Sequence, residues 1–128
     1  MGEHEPPEHD DARDLYVDAV TRVDRRDSAT IVRLGGELDL YNAHVVRAAL
    51  FDAADERPER LVVDLSEVQF LDSTALGVLI EARTKLANRE AFLLAAPGVE
   101  TRRALEVSGL NRHFAVHDSV DDALAKTL

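Results

Sequence analysis

The stretch that decides the fold is LVVDLSEVQFLDSTALGVLIEA, residues 61–82. Leu61 to Leu65 make a short apolar run bounded by polar residues, the signature of a buried strand in a mixed or parallel sheet. Asp72, Ser73 and Thr74 then interrupt the apolar character, and Leu76, Leu79, Ile80 and Leu86 recur at a spacing that predicts one face of a helix. Asp, Ser and Thr are the residues whose side-chain oxygens satisfy the orphan N–H groups of a helix start, so the plain reading of the trio is a cap. Strand, small polar junction and helix together form one unit of an α/β fold.

The same alternation continues outward in both directions. LYVDAVTRV (15–23) reads as a half-buried strand, DRRDS as a polar turn, and ATIVRLGG (29–36) as the antiparallel partner, ended by Gly35 and Gly36. LYNAHVVRAALFDAAD (40–55) carries Val46, Leu50 and Ala53 or Ala54 at helical spacing, with Asp39 or Asn42 as its N-cap. On the other side, REAFLLAAP (89–97) predicts a buried strand ended by Pro97. Residues 98–108 predict a helix with Val99, Arg103, Ala104 and Val107 in step and Gly109 as C-cap. HFAVH (113–117) is a short strand, and residues 119–128 close with a helix capped by Ser119 or Asp118. The order β-β-α-β-α-β-α-β-α predicts a single α/β domain over residues 15–128. Its sheet is mixed, mainly parallel, opened by an antiparallel hairpin and packed with about four helices. The sequence leaves the strand order open.

Composition narrows the function. The 128 residues suit one core, and with no cysteine there is no disulfide, thiolate or zinc-thiolate chemistry. No apolar run approaches the ~20 residues that cross a bilayer, and the acidic start cannot serve as a signal peptide, so a cytoplasmic protein without membrane contact is expected. A net charge of −10 argues against direct nucleic-acid binding, which needs Lys and Arg to neutralise phosphate. Residues 1–14 hold six of the acidic side chains against Arg13 alone, with Pro6 and Pro7, and read as a disordered acidic N-terminal tail. No catalytic set is expected. His44, His113 and His117 read as surface or boundary residues, and neither GxSxG nor a P-loop occurs. His4 and His9 lack anything to hold them together, so neither metal nor cofactor is expected.

In sheets of this kind, functional groups collect where strands end and helices begin. Two such junctions here are small and polar, GGELD (35–39) and LDSTALG (71–77). If the strands before them are neighbours, Asp39, Asp72 and Ser73 share one end of the sheet. LGGELDLYNA (34–43), residues 61–82 and ALEVSGLNRHFAVHDSVDDAL (104–124) together resemble the STAS-domain family, and within it the single-domain bacterial anti-sigma factor antagonists.

The resemblance implies a binding switch, not an enzyme. An unphosphorylated antagonist binds an anti-sigma factor that is a serine kinase, which frees a sigma factor. Phosphorylation releases the pair, and a serine phosphatase resets it. The matching phosphate acceptor is Ser73, ahead of Thr74. Asp39, Asp72, Ser73, Thr74, Ala75 and Gly77 are the expected partner-binding residues. Ala75 stands where the family usually has glycine, a change that keeps the side chain small. Ser73 is thus expected both to cap its helix and to act as the switch. The alternative on the same fold is a STAS subunit of a lipid-transport ABC complex or a stressosome-type scaffold.

Overall fold

A computed structural model describes residues 18–128. The expected acidic tail, residues 1–14, and the first residues of the expected 15–23 strand lie outside it. The elements are β1 (Val20–Arg26), β2 (Ala29–Leu38), α1 (Ala43–Asp55), β3 (Arg60–Leu71), α2 (Ser73–Thr84), β4 (Phe92–Ala95), α3 (Val99–Ser108), β5 (Ala115–His117) and α4 (Val120–Ala125). Short 3-10 turns at Arg89–Ala91 and Leu110–Arg112 precede β4 and β5.

The sheet order is β1-β2-β3-β4-β5, with β1 and β2 antiparallel and the remaining pairs parallel. This is the mixed sheet with four helices that the sequence predicts. Consecutive parallel neighbours joined by right-handed crossovers send their helices to one face. Accordingly Val46 and Leu50 of α1, Val78 and Leu79 of α2 and Leu105 of α3 share one large core with Val32, Leu34, Val63, Leu65 and Leu94. Alternate residues of the same strands face the other way. Ile31, Val62, Leu93 and Ala95 meet Ala123 in a second, smaller cluster beneath α4.

Several boundaries differ from the expectation. β1 runs on through Arg26, and the turn shrinks to Asp27 and Ser28. β3 continues well past Leu65 to Leu71. Its outer half is a rim where Ser66, Glu67, Gln69 and Phe70 are exposed, so the apolar run ends before the strand does. The first helix starts at Ala43, with Leu40 to Asn42 in a turn. On α2, Leu76, Leu79 and the following Leu86 are buried but Ile80 is exposed, its place taken by the smaller Ala75 and Ala82. α3 is turned relative to the expected stripe. It packs through Thr101 and Leu105, while Val99 and Val107 are 75% and 82% exposed. α4 ends at Ala125 and is capped by Ser119, whose Oγ accepts from the N–H of Asp122 at 2.9 Å.

Helices α1 and α2 are clasped across their seam. The Arg47 guanidinium lies 4.4 Å from the centroid of the Phe51 ring and Lys85 Nζ lies 5.0 Å from it, with Arg47 also 3.5 Å from Glu81. Cations over a ring at partly exposed sites contribute about 0.5–1 kcal/mol each.

Candidate functional site

Because β2 and β3 are parallel neighbours, their carboxyl ends lie side by side. Leu38 pairs with Leu71, and the N–H of Asp72 donates to the carbonyl of Leu38 at 3.0 Å. The two junctions that follow are thereby stitched together, and Asp39, Asp72 and Ser73 occupy one end of the sheet. On the way to that end β2 carries irregularities at Arg33/Gly35 and Gly36/Glu37. Gly36 sits there at φ +75°, a conformation that side chains with a Cβ resist.

The β2–α1 junction is a closed set of hydrogen bonds. Asp39 Oδ1 accepts from the N–H groups of Tyr41 (2.9 Å) and Asn42 (3.3 Å). Asn42 answers with its Oδ1, which accepts from the N–H of Asp39 at 2.9 Å, and with its Nδ2, which donates to the carbonyl of Glu37 at 2.8 Å. The N–H of Ala43 donates to the Asp39 carbonyl at 2.9 Å. Asp39 and Asn42, the alternative caps that the sequence offered, bond each other's backbone in the manner of a capping box, while Asn42, the N-cap of α1, makes no side-chain bond to the helix itself.

The β3–α2 junction is built differently. Asp72 is the N-cap, with extended backbone, and its Oδ1 accepts from the N–H of Ala75 at 3.0 Å. Ser73 is the first residue of the helix, not its cap, which corrects the dual role expected of it: one carboxylate satisfies the start, leaving no capping task for a hydroxyl one position inside. Ser73 and Thr74 are exposed, and neither hydroxyl makes a hydrogen bond among the described residues. Ala75 faces the core at 2% exposure, so its methyl packs inward. Gly77 lies one turn below Ser73, half-buried, and a Cβ placed on it would meet nothing within 4 Å. The fold itself does not require that glycine.

Sequence reasoning passed over the apolar surface beside these junctions. Leu40 is 65% and Tyr41 84% exposed, and Val45 and Phe70 are also largely open to solvent. With Leu40 and Tyr41 read as the start of a helix, nothing marked them as surface residues. Of the three histidines among the described residues, His44 and His113 are exposed and His117 is half-buried. Among the described residues no helix is long and apolar enough to cross a membrane.

Comparison with known proteins matches the STAS-domain family model over residues 21–123. The chain belongs to the STAS-domain family. Within this family it is similar to the anti-sigma-F factor antagonist RsfB of Mycobacterium tuberculosis, 34% identical over 94 residues, covering 73% of this chain and 77% of the relative. The anti-sigma F factor antagonist of Paenibacillus polymyxa is 36% identical over 99 residues, 75% of this chain and 84% of that one. A crystal structure of an anti-sigma factor antagonist from Mycobacterium paratuberculosis superposes with a TM-score of 0.77 at 34% identity, covering 84% of this chain and 92% of the other. This STAS domain thus shares its sheet order and helix placement with chains of nearly the same extent. Both relatives are named as antagonists of an anti-sigma factor.

Proposed function

We propose that this STAS domain is an anti-sigma factor antagonist. It binds an anti-sigma factor serine kinase while unphosphorylated, so freeing a sigma factor, and is released when Ser73 is phosphorylated and reset by a serine phosphatase. The observation that carries this reading is Ser73 itself: an exposed hydroxyl at the first position of α2, without a hydrogen bond among the described residues, directly after the Asp72 cap. Support also comes from relatives at 34% and 36% identity that are named for antagonism of an anti-sigma factor.

The physical chemistry of a phosphate at this position suits a switch. A helix N-terminus stabilises an anion by about 0.3–1 kcal/mol, so phosphoserine can sit at the start of α2 without unfolding it. The group brings about −1.5 to −2 charge to a surface that already holds Asp72 and Asp39. Against a partner carboxylate about 5 Å away, the repulsion is on the order of 3 kcal/mol per unit charge pair at an effective dielectric of ~20. About 1.4 kcal/mol is tenfold in affinity, so half of that repulsion releases a micromolar complex. Gly77 and Thr74 border the same exposed face, where a partner approaching Ser73 meets them next.

The test uses three baits, wild type, Ser73→Ala and Ser73→Glu, followed by kinase assay of the purified partner with ATP and mapping of the modified residue. The expected outcome is a serine-kinase anti-sigma factor held by wild type and Ser73→Ala, lost from Ser73→Glu, and transferring phosphate to Ser73 alone. A partner held equally by all three, such as a transporter ATPase or a scaffold component, would sink the proposal and make the domain a constitutive subunit.

A further inference from the structure

Beside the two junctions a groove of about 910 Å³ opens between the start of β1, the end of β2 and the first turn of α1, lined by Asp18, Glu37, Asp39, Tyr41, Val45 and Gln69 among others. Its lining combines apolar side chains with three carboxylates, and among the described residues no Lys or Arg lines it. Elsewhere, acids such as Asp24, Asp64, Glu67 and Asp118 are paired with arginines. Among the described residues, Asp18, Glu37 and Asp39 take part in no ion pair. Asp39 spends Oδ1 on two backbone N–H groups and leaves Oδ2 over.

We propose that this groove receives an arginine or lysine, carried on an apolar segment of the protein that Ser73 controls. The inference rests on the switch reading and adds a second anchor to it. The side chain's aliphatic stem lies along Tyr41 and Val45, and its charge meets the carboxylates of Glu37 and Asp39. Long cationic side chains pack their stems on apolar surface while holding the charge at a polar rim, and a tyrosine ring at the entrance adds a cation–π contact. Charge selects this occupant over the others. An anionic ligand such as a nucleotide faces three carboxylates that pair with no cation among the described residues, and a segment as acidic as residues 1–14, net −5, faces the same repulsion. A phosphate on Ser73 does not discharge this anchor, since it adds negative charge nearby. Release has to act at Ser73 while the groove supplies attraction.

The groove can be tested without the kinase. The full-length chain, labelled with nitrogen-15, is titrated with the peptide acetyl-Leu-Arg-Val-Arg-Leu-amide and with its twin in which both arginines are glutamates. The expected result is saturating shift changes at the amides of Glu37, Asp39, Tyr41 and Val45 with the first peptide and none with the second. Glu37→Gln and Tyr41→Ala each weaken binding about threefold, the size of an exposed charge pair or cation–π contact. Raising salt from roughly 0.05 to 0.5 M weakens it further. Ser73→Glu binds the peptide at least as well as wild type. Equal shifts with the acidic twin, or shifts confined to other surfaces, would overturn the proposal. So would contacts in the free chain between the Tyr41 ring and residues 15–17, which would make the chain itself the occupant. Loss of the switch reading shows separately, as a partner indifferent to residue 73 while the peptide results stand.

Discussion

Two junctions one strand apart begin with the same residue and use it in opposite ways. At β2–α1, Asp39 Oδ1 and the side-chain amide of Asn42 are spent on the backbone of Glu37, Asp39, Tyr41 and Asn42, a turn closed on itself that leaves only Asp39 Oδ2 over. At β3–α2, Asp72 alone satisfies the helix start through the N–H of Ala75, and the two hydroxyls that follow are left over. Polar groups committed to a fold cannot be modified or recruited without loss of stability. Groups the fold leaves over can be, and the contrast separates a fixed wall of the site from its chemically free point.

The sharpest break would come at Ser73. Ser73→Ala is expected to abolish phosphate incorporation by the proposed kinase partner while moving unfolding stability by no more than about 0.5 kcal/mol, because no bond among the described residues is removed. Urea unfolding checks the second half, and a loss as large as a missing cap would erase the distinction between the junctions. Asn42→Ala probes the closed loop. It removes the acceptor for the Asp39 N–H and the donor to Glu37, and a loss of about 1–2 kcal/mol in urea unfolding is expected. Asp72→Ala takes away a single capping bond and should cost about 1 kcal/mol, with the helix intact by circular dichroism.

Gly77→Ala sharpens the comparison in the other direction. With open space at the Cβ position, alanine should gain about 0.5–1 kcal/mol of stability, and any accompanying loss of kinase binding would then measure how closely the partner approaches α2. The smallest effect lies at the far end of the sheet. Arg25 Nε donates to Glu56 Oε1 at 2.9 Å, and this hydrogen bond holds the exposed Glu56 carboxyl below its ordinary range. A depressed carboxyl contributes stability above its unfolded pKa and loses it as pH falls through the folded one. Proton titration by NMR should find Glu56 returning upward in Arg25→Ala, with little change in stability.

How much of this was legible in the sequence depended on how many sides of an element are packed. β3 between Leu61 and Leu65 is enclosed on both faces and reads without ambiguity. The same strand beyond Leu65 is a half-open rim, and its register could not be followed from hydrophobicity. α3 offered two apolar stripes, Val99–Ala104–Val107 and Thr101–Leu105, and periodicity does not choose between them. The choice falls to the shape of the sheet beneath. The acid at each junction was legible because Asp at a strand-to-helix turn has a local job. Which partner each acid bonds was not, because Asp39 is completed by Asn42 across the turn at Leu40–Asn42, residues that the sequence reads as part of the helix. Tyr41 was invisible for a related reason: an aromatic in a loop has no period to betray which way it points.

The sheet order has one more consequence, and it concerns time instead of geometry. Strands β1 to β5 lie in the order in which the chain presents them, so no strand inserts between two already placed. Each strand–helix unit leaving a ribosome finds a finished edge to dock on and leaves a fresh one for its successor. Loops to be closed stay short, and the entropy lost at each step stays small. The last helix, α4, arrives after all five strands and seals the face the other three left open.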